Sequence, residues 1–210
     1  MKRRRVNKFK LIMTFVFIIL FISLGFCLKN ILGLLNNKSE SEVEVLDSIK
    51  GYDYSLNEND SEYFKKVFKD LKKTLEAKKV DENEYAKLVS ELFVIDFYSL
   101  DNSLSKNDVG GVQFVYKDYQ DSFMKFAKDG IYKYVENNIY GDRKQVLPKV
   151  TSVEITDIKQ DTITFENVTS DEKAYFIDLS ITYEEDLGYQ SSAKLVLIHS
   201  NNKLELAKLD

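Results

Sequence analysis

The chain has 210 residues, of which 30 are basic and 34 acidic, for a formal net charge of −4. A single cysteine, a single histidine and a single proline exclude a disulfide framework and a two-histidine metal site. Six of the cations crowd into residues 1–10, so residues 11–210 carry −10, which argues against a nucleic-acid partner because phosphate contacts need clustered Lys and Arg.

Lys2, Arg3, Arg4, Arg5, Lys8 and Lys10 precede Leu11–Leu28, which is 18 residues without a charge. As a helix this run spans about 27 Å, close to the ~30 Å hydrocarbon core of a bilayer, and a helix satisfies its own backbone there. The positive-inside tendency keeps the basic tail, residues 1–10, in the cytoplasm and sends the rest of the chain across the membrane. Apolar character resumes at Ile31–Leu35, which places a retained transmembrane anchor at 11–35. A cleaved signal peptide would have a shorter apolar region and a small-residue exit. Cys27 follows the bulky Phe26, where lipoprotein processing needs a small residue, so it reads as an apolar residue of the span.

Residues 36–55 read as a linker, rich in Ser and Glu through Glu44, with a short lead-in strand near 50–55. The extracytoplasmic domain then occupies 56–210. Asn59 and Glu62 have capping-box spacing, and Phe64, Val67, Phe68, Leu71 and Leu75 form one helical stripe. Lys65, Lys66, Lys69, Lys72 and Lys73 surround that stripe as a solvated face, helped by a Glu62–Lys66 pair. A second helix starts at Asp81 and runs through Tyr85, Leu88, Leu92 and Phe93 into Val94–Tyr98. The spacing predicts a third helix from Val115 to Asn138, with Tyr119, Phe123, Phe126, Ala127, Ile131, Tyr134 and Val135 on its apolar face, strained by Gly130 and ended by Gly141.

Beyond Pro148 the period changes from helical to two. Val153 and Ile155 alternate, as do Ile163 and Phe165; Tyr175, Ile177, Leu179, Ile181 and Tyr183 share one face. Tyr189, Ala193, Leu195 and Leu197 follow a turn at Asp186–Gly188, and Asn201–Asn202 closes a hairpin into Leu204 and Leu206. Three helices followed by four or five antiparallel strands define an α+β domain with helices on one face of the sheet.

This element order resembles the nuclear transport factor 2-like (cystatin-like) cone. With the short tail and single span, the whole resembles bitopic assembly factors of type IV secretion and conjugation machines. The stretches Phe93–Tyr98, Asn107–Gly111 and Tyr140–Arg143 are similar to those of uncharacterised membrane-anchored proteins of low-GC Gram-positive bacteria. These resemblances imply a cell-membrane protein whose outer domain binds a protein partner in an envelope assembly; a homo-oligomer is compatible with them.

No phosphate loop, G-x-S-x-G, H-E-x-x-H or C-x-x-C pattern occurs, and no cofactor, metal site or enzymatic activity is expected. His199 reads as structural or solvated. Asp96 stands out because it interrupts an apolar aromatic run, where burial raises a carboxyl pKa; it reads as a group that faces solvent near the helix end or accepts hydrogen bonds from neighbouring backbone. The cone resemblance implies an alternative, a ligand-binding or acid–base pocket built from Asp96 with Tyr98, Tyr119 or Tyr132. Topology is checked directly: protease added to intact protoplasts should remove the domain beyond the linker near Asn36 and leave a membrane-retained stub. A soluble mature chain starting after residue 28 would refute the anchor.

Overall fold

The computed structural model describes residues 44–165 and 168–210, so the tail at 1–10 and the anchor expected at 11–35 lie outside the described residues. Among the described residues no helix is long and apolar enough to cross a membrane. They fold from Glu44 to Asp210 as one α+β unit with three α-helices and two antiparallel sheets.

Strands β1 (Val45–Ile49) and β2 (Tyr54–Asn57) pair as a hairpin where the sequence suggests linker and one short strand. The hairpin holds because Ile49, Tyr54 and Leu56 are buried in the main core, giving two short strands the third surface that an isolated hairpin lacks. Helix α1 (Glu62–Leu75) is capped by Ser61, whose hydroxyl accepts the Phe64 N–H at 3.1 Å. The expected Asn59–Glu62 box does not form, because Asp60 turns the chain first by accepting the Asn57 N–H at 2.6 Å. All five residues of the apolar stripe are buried. Lys72 leaves the solvated face to meet Asp47 of β1 at 2.8 Å, and its hydrogen bond holds the Asp47 carboxyl below the usual range. Glu62 pairs with Lys65 at 3.0 Å, one position short of Lys66.

Helix α2 (Glu82–Tyr98) begins as its sequence indicates, with Asp81 accepting the Asn83 and Glu84 amides at 3.1 Å each. It touches α1 and three strands of the main sheet, and this enclosure explains why its C-terminal run is apolar on every side. The predicted helix from Val115 to Asn138 does not form as one piece. Two single turns, Val112–Phe114 and Lys117–Tyr119, lead into helix α3 (Gln120–Asp129). Gly130 leaves helical geometry while its amide bonds the Phe126 and Ala127 carbonyls at 2.8 and 3.2 Å. The break turns Tyr132 back into the core, where it is fully buried. Gly141 takes φ +71° in a separate turn and caps no helix.

Strands β3 (Val150–Phe165), β4 (Val168–Tyr183), β5 (Ser192–Ser200) and β6 (Lys203–Leu209) form one antiparallel sheet in chain order. The two alternating stretches read at 153–155 and 163–165 belong to the single strand β3. Register shifts between them, at Ile155/Asp157 and Asp161/Ile163, interrupt the alternation, since each bulge adds an unpaired residue. Tyr175, Ile177, Leu179 and Ile181 are buried together as predicted, facing Ala193, Leu195 and Leu197 across the register. Asn201 takes φ +52° in the β5–β6 turn, a conformation Asn tolerates.

Both sheet edges are stitched to the helices by tyrosines. At β3, the Tyr63 hydroxyl accepts the Val153 N–H at 3.1 Å and donates to Glu91 at 2.6 Å. At β6, Tyr54 donates to the Leu204 carbonyl at 2.7 Å and Tyr85 accepts the Leu204 N–H at 2.8 Å. The two phenols lie 2.8 Å apart, so the four groups close a circuit. Burial raises both phenols, Tyr85 to about 12. Replacing Tyr54 with Phe keeps the ring but strands a buried carbonyl, and should cost about 1–3 kcal/mol in urea unfolding. An unchanged midpoint would mean that ring packing alone holds this edge.

Candidate functional site

Asp96 sits in the last turns of α2, where the chain must also pack the loop that follows. Its Oδ2 accepts the Gly111 N–H at 2.7 Å. One residue away, Tyr132 Oη accepts the Gly110 N–H at 3.0 Å and donates to the Phe97 carbonyl at 2.8 Å. Adjacent amides of the Gly110–Gly111 turn are therefore held by the two candidate side chains. The turn presses so close that a Cβ on Gly110 would lie 2.1 Å from the Asp96 carbonyl oxygen, and Gly111 takes φ +77° against the Phe93 ring. Glycine is required at both positions.

Burial pushes the Asp96 carboxyl up to about 7; the Gly111 amide opposes the shift, and the charges of Asp60 and Asp108 add to it. The residue as a whole is half-buried, but its carboxylate lies under the glycine turn. Burial likewise raises the Tyr132 phenol well above its ordinary range and Tyr98 to about 12.

The four sequence candidates divide into two places. Tyr98 and Tyr119 border a cavity of about 480 Å³ between α3 and β6, together with Phe97, Phe123, Phe126 and Leu209. Asp96 and Tyr132 are absent from its lining. The cavity is walled mainly by aromatic and aliphatic side chains. Phe97 is their hub, with ring centroids 5.0 Å from Phe123, 4.9 Å from Tyr98 and 5.7 Å from Tyr132. Sequence reading placed Phe123 and Phe126 on the apolar face of one long helix; breaking that helix at Gly130 leaves Phe126 77% exposed. Arg143 anchors the preceding loop by donating to the carbonyls of Ser103 and Asp101 at 2.6 and 2.7 Å.

No group of His, Cys, Asp or Glu among the described residues is arranged to hold a metal. Comparison with protein-family models, with curated proteins and with solved structures finds no match to this chain. The arrangement at Asp96 therefore has to be read from its own geometry: a carboxyl and a phenol fastening a turn, beside an apolar cavity they do not enter.

That geometry has a pH signature. The unfolded Asp96 ionises near pH ~3.9, whereas the folded carboxyl holds its proton to about 7. Between these values the native state binds more protons, so rising pH removes stability, by at most about 1.4 kcal/mol per pH unit from this group. Asp96→Asn should abolish that component, so the gap in stability between variant and wild type changes across pH ~4–7 in thermal unfolding. A constant gap would show that Asp96 is ionised throughout. Gly110→Ala should destabilise the domain at every pH.

Proposed function

We propose that the chain is a single-pass cell-membrane protein whose extracytoplasmic domain, a nuclear transport factor 2-like cone, docks a protein partner in an envelope-associated assembly. The observation that carries this reading is the apolar cavity beside α3 with Phe126 standing 77% exposed at its wall. Tyr134, Ile139, Tyr140 and Val146, in the segment that follows, are each more than 60% exposed. Exposed apolar side chains concentrated in one stretch of chain mark an interaction surface more often than scattered ones do. The basic tail and uncharged run at the N-terminus support the membrane anchor, and helices packed against a four-stranded antiparallel sheet support the cone.

One observation favours a second reading, an acid–base or ligand-binding cone: the Asp96 carboxyl is pushed up to about 7. Its bonded oxygen is committed to Gly111, however, and neither Asp96 nor Tyr132 borders the cavity. The geometry suits a structural acceptor better than a base.

The docking reading is tested by photocrosslinking. Benzoylphenylalanine placed at Phe126 in the full chain should give a discrete adduct in native membranes, and the same group at exposed Glu172 should not. No adduct at 126, or the same adducts at both positions, would sink it.

A further inference from the structure

A second recess, of about 1000 Å³ and polar, opens where the start of α2 meets strands β3, β4 and β5; Asp81, Glu82, Gln160, Tyr175 and His199 are among its walls. His199 is the only histidine of the chain, and its partner lies 28 residues earlier. Asp171 Oδ2 is 2.9 Å from His199 Nδ1 and also accepts the His199 backbone N–H at 2.7 Å. Asp171 Oδ1 accepts the Lys173 N–H at 2.9 Å. Burial opposes ionisation of Asp171, but the His199 and Lys173 amides outweigh it and hold the carboxyl below its usual range. A carboxylate on Nδ1 fixes the neutral imidazole in the tautomer that leaves Nε2 as an acceptor.

Tyr175 supplies an independent sign of a ligand. It is only 1% exposed and borders the recess, yet its hydroxyl has no hydrogen-bond partner among the described residues. The oxygen is not sealed off, since the one enclosed side-chain polar atom without a partner among the described residues is Asp101 Oδ1, so the phenol opens on the recess as an unengaged acceptor. Burial, and then the fields of Glu82, Asp81 and Asp171, raise this phenol, so negative charge dominates around its oxygen. Two of those carboxylates are fixed in place by backbone amides. Glu82 makes no hydrogen bond or ion pair among the described residues. The cations of the recess, Lys79 and Lys173, are carried on long flexible stems with no ion-pair partner among the described residues, so they can swing aside.

We propose that this recess binds a primary ammonium group, its three N–H donors shared by His199 Nε2, the Tyr175 hydroxyl oxygen and the Glu82 carboxylate. The His199 and Tyr175 rings stand 6.0 Å apart at 44°, on neighbouring strands of one sheet. An ammonium matches the site because it donates three hydrogen bonds, accepts none and carries the charge the fixed carboxylates lack. Protonation of His199 removes the Nε2 lone pair and adds a repelling charge beside Lys79 and Lys173, the cations that face the recess along with the carboxylates of Asp81, Glu82 and Asp171. Binding is therefore weaker in acid.

The test uses the full chain in detergent with ¹³C-labelled histidine, whose one imidazole reports the site without assignment. n-Butylammonium chloride should shift the His199 ring signal saturably, and tetramethylammonium chloride at equal ionic strength should not, because it has no N–H. Tyr175→Phe and Glu82→Gln should each weaken butylammonium binding about five-fold. Affinity should also fall from about pH 8 to about pH 5. Nα-acetyl-lysine methylamide carries the same head group: tighter binding than butylammonium assigns the ammonium to a peptide side chain, and weaker binding assigns it to a free amine. No saturable shift, an equal response to tetramethylammonium, or unchanged affinity in both variants overturns the proposal.

Discussion

A sheet edge that is buried rather than wet must find partners for its backbone, and the domain is arranged around that requirement. Leu204 on β6 has β5 on one side only, so its outward carbonyl and amide are answered by the phenols of Tyr54 and Tyr85, which in turn bond each other. Tyr54 belongs to the N-terminal hairpin and Tyr85 to α2, so one circuit joins three elements distant in sequence. An unmet buried carbonyl costs about 1–3 kcal/mol, comparable with a large share of a domain's net stability. The hairpin is part of the fold because β6 needs it. Tyr63 performs the corresponding task at Val153 on the opposite edge, and its second bond to Glu91 ties α1 to α2.

The glycine turn extends the same logic to the apolar cavity. Chain leaving Gly111 passes through two single turns before reaching α3, and Val115 and Tyr119 on that path form part of the cavity wall. Where the turn sits fixes where the wall sits. Asp96 and Tyr132, although outside the cavity, thus govern its shape through the amides they hold. Tyr116 adds a fastening of its own, donating its backbone N–H to the Leu206 carbonyl at 2.8 Å.

Periodicity carried much of this architecture into the sequence. The α1 stripe, the Asp81 cap, the alternation of β4 and the Asn201 turn are all local patterns, and each is legible because the residues involved are neighbours. Where long-range contacts decide, local pattern misleads. Phe123 and Phe126 fit one helical face on paper, yet Gly130 breaks the helix, leaving Phe126 exposed while Tyr132 reaches Phe97 and Gly110. The bulges of β3 erase the alternation that would have marked it as one strand. Asp96 was legible as a carboxyl under apolar stress and as an acceptor of backbone hydrogen bonds, but its partner Gly111, 15 residues further on, was not. Asp171 gave no signal at all: nothing in spacing links it to His199, and only the pairing of β4 with β5 brings them together.

The two outer strands also differ in how they refuse company. Over Leu204–Leu206, β6 has given its outward groups to Tyr54, Tyr85 and Tyr116. β3 is long, but it is kinked by register shifts and bears Glu154, Asp157, Lys159 and Asp161. Bulges and charges both spoil a strand as a template for another. Copies of this domain crowded side by side would find little continuous backbone ladder on which to polymerise, so the domain can be present at high local density without seeding fibrils.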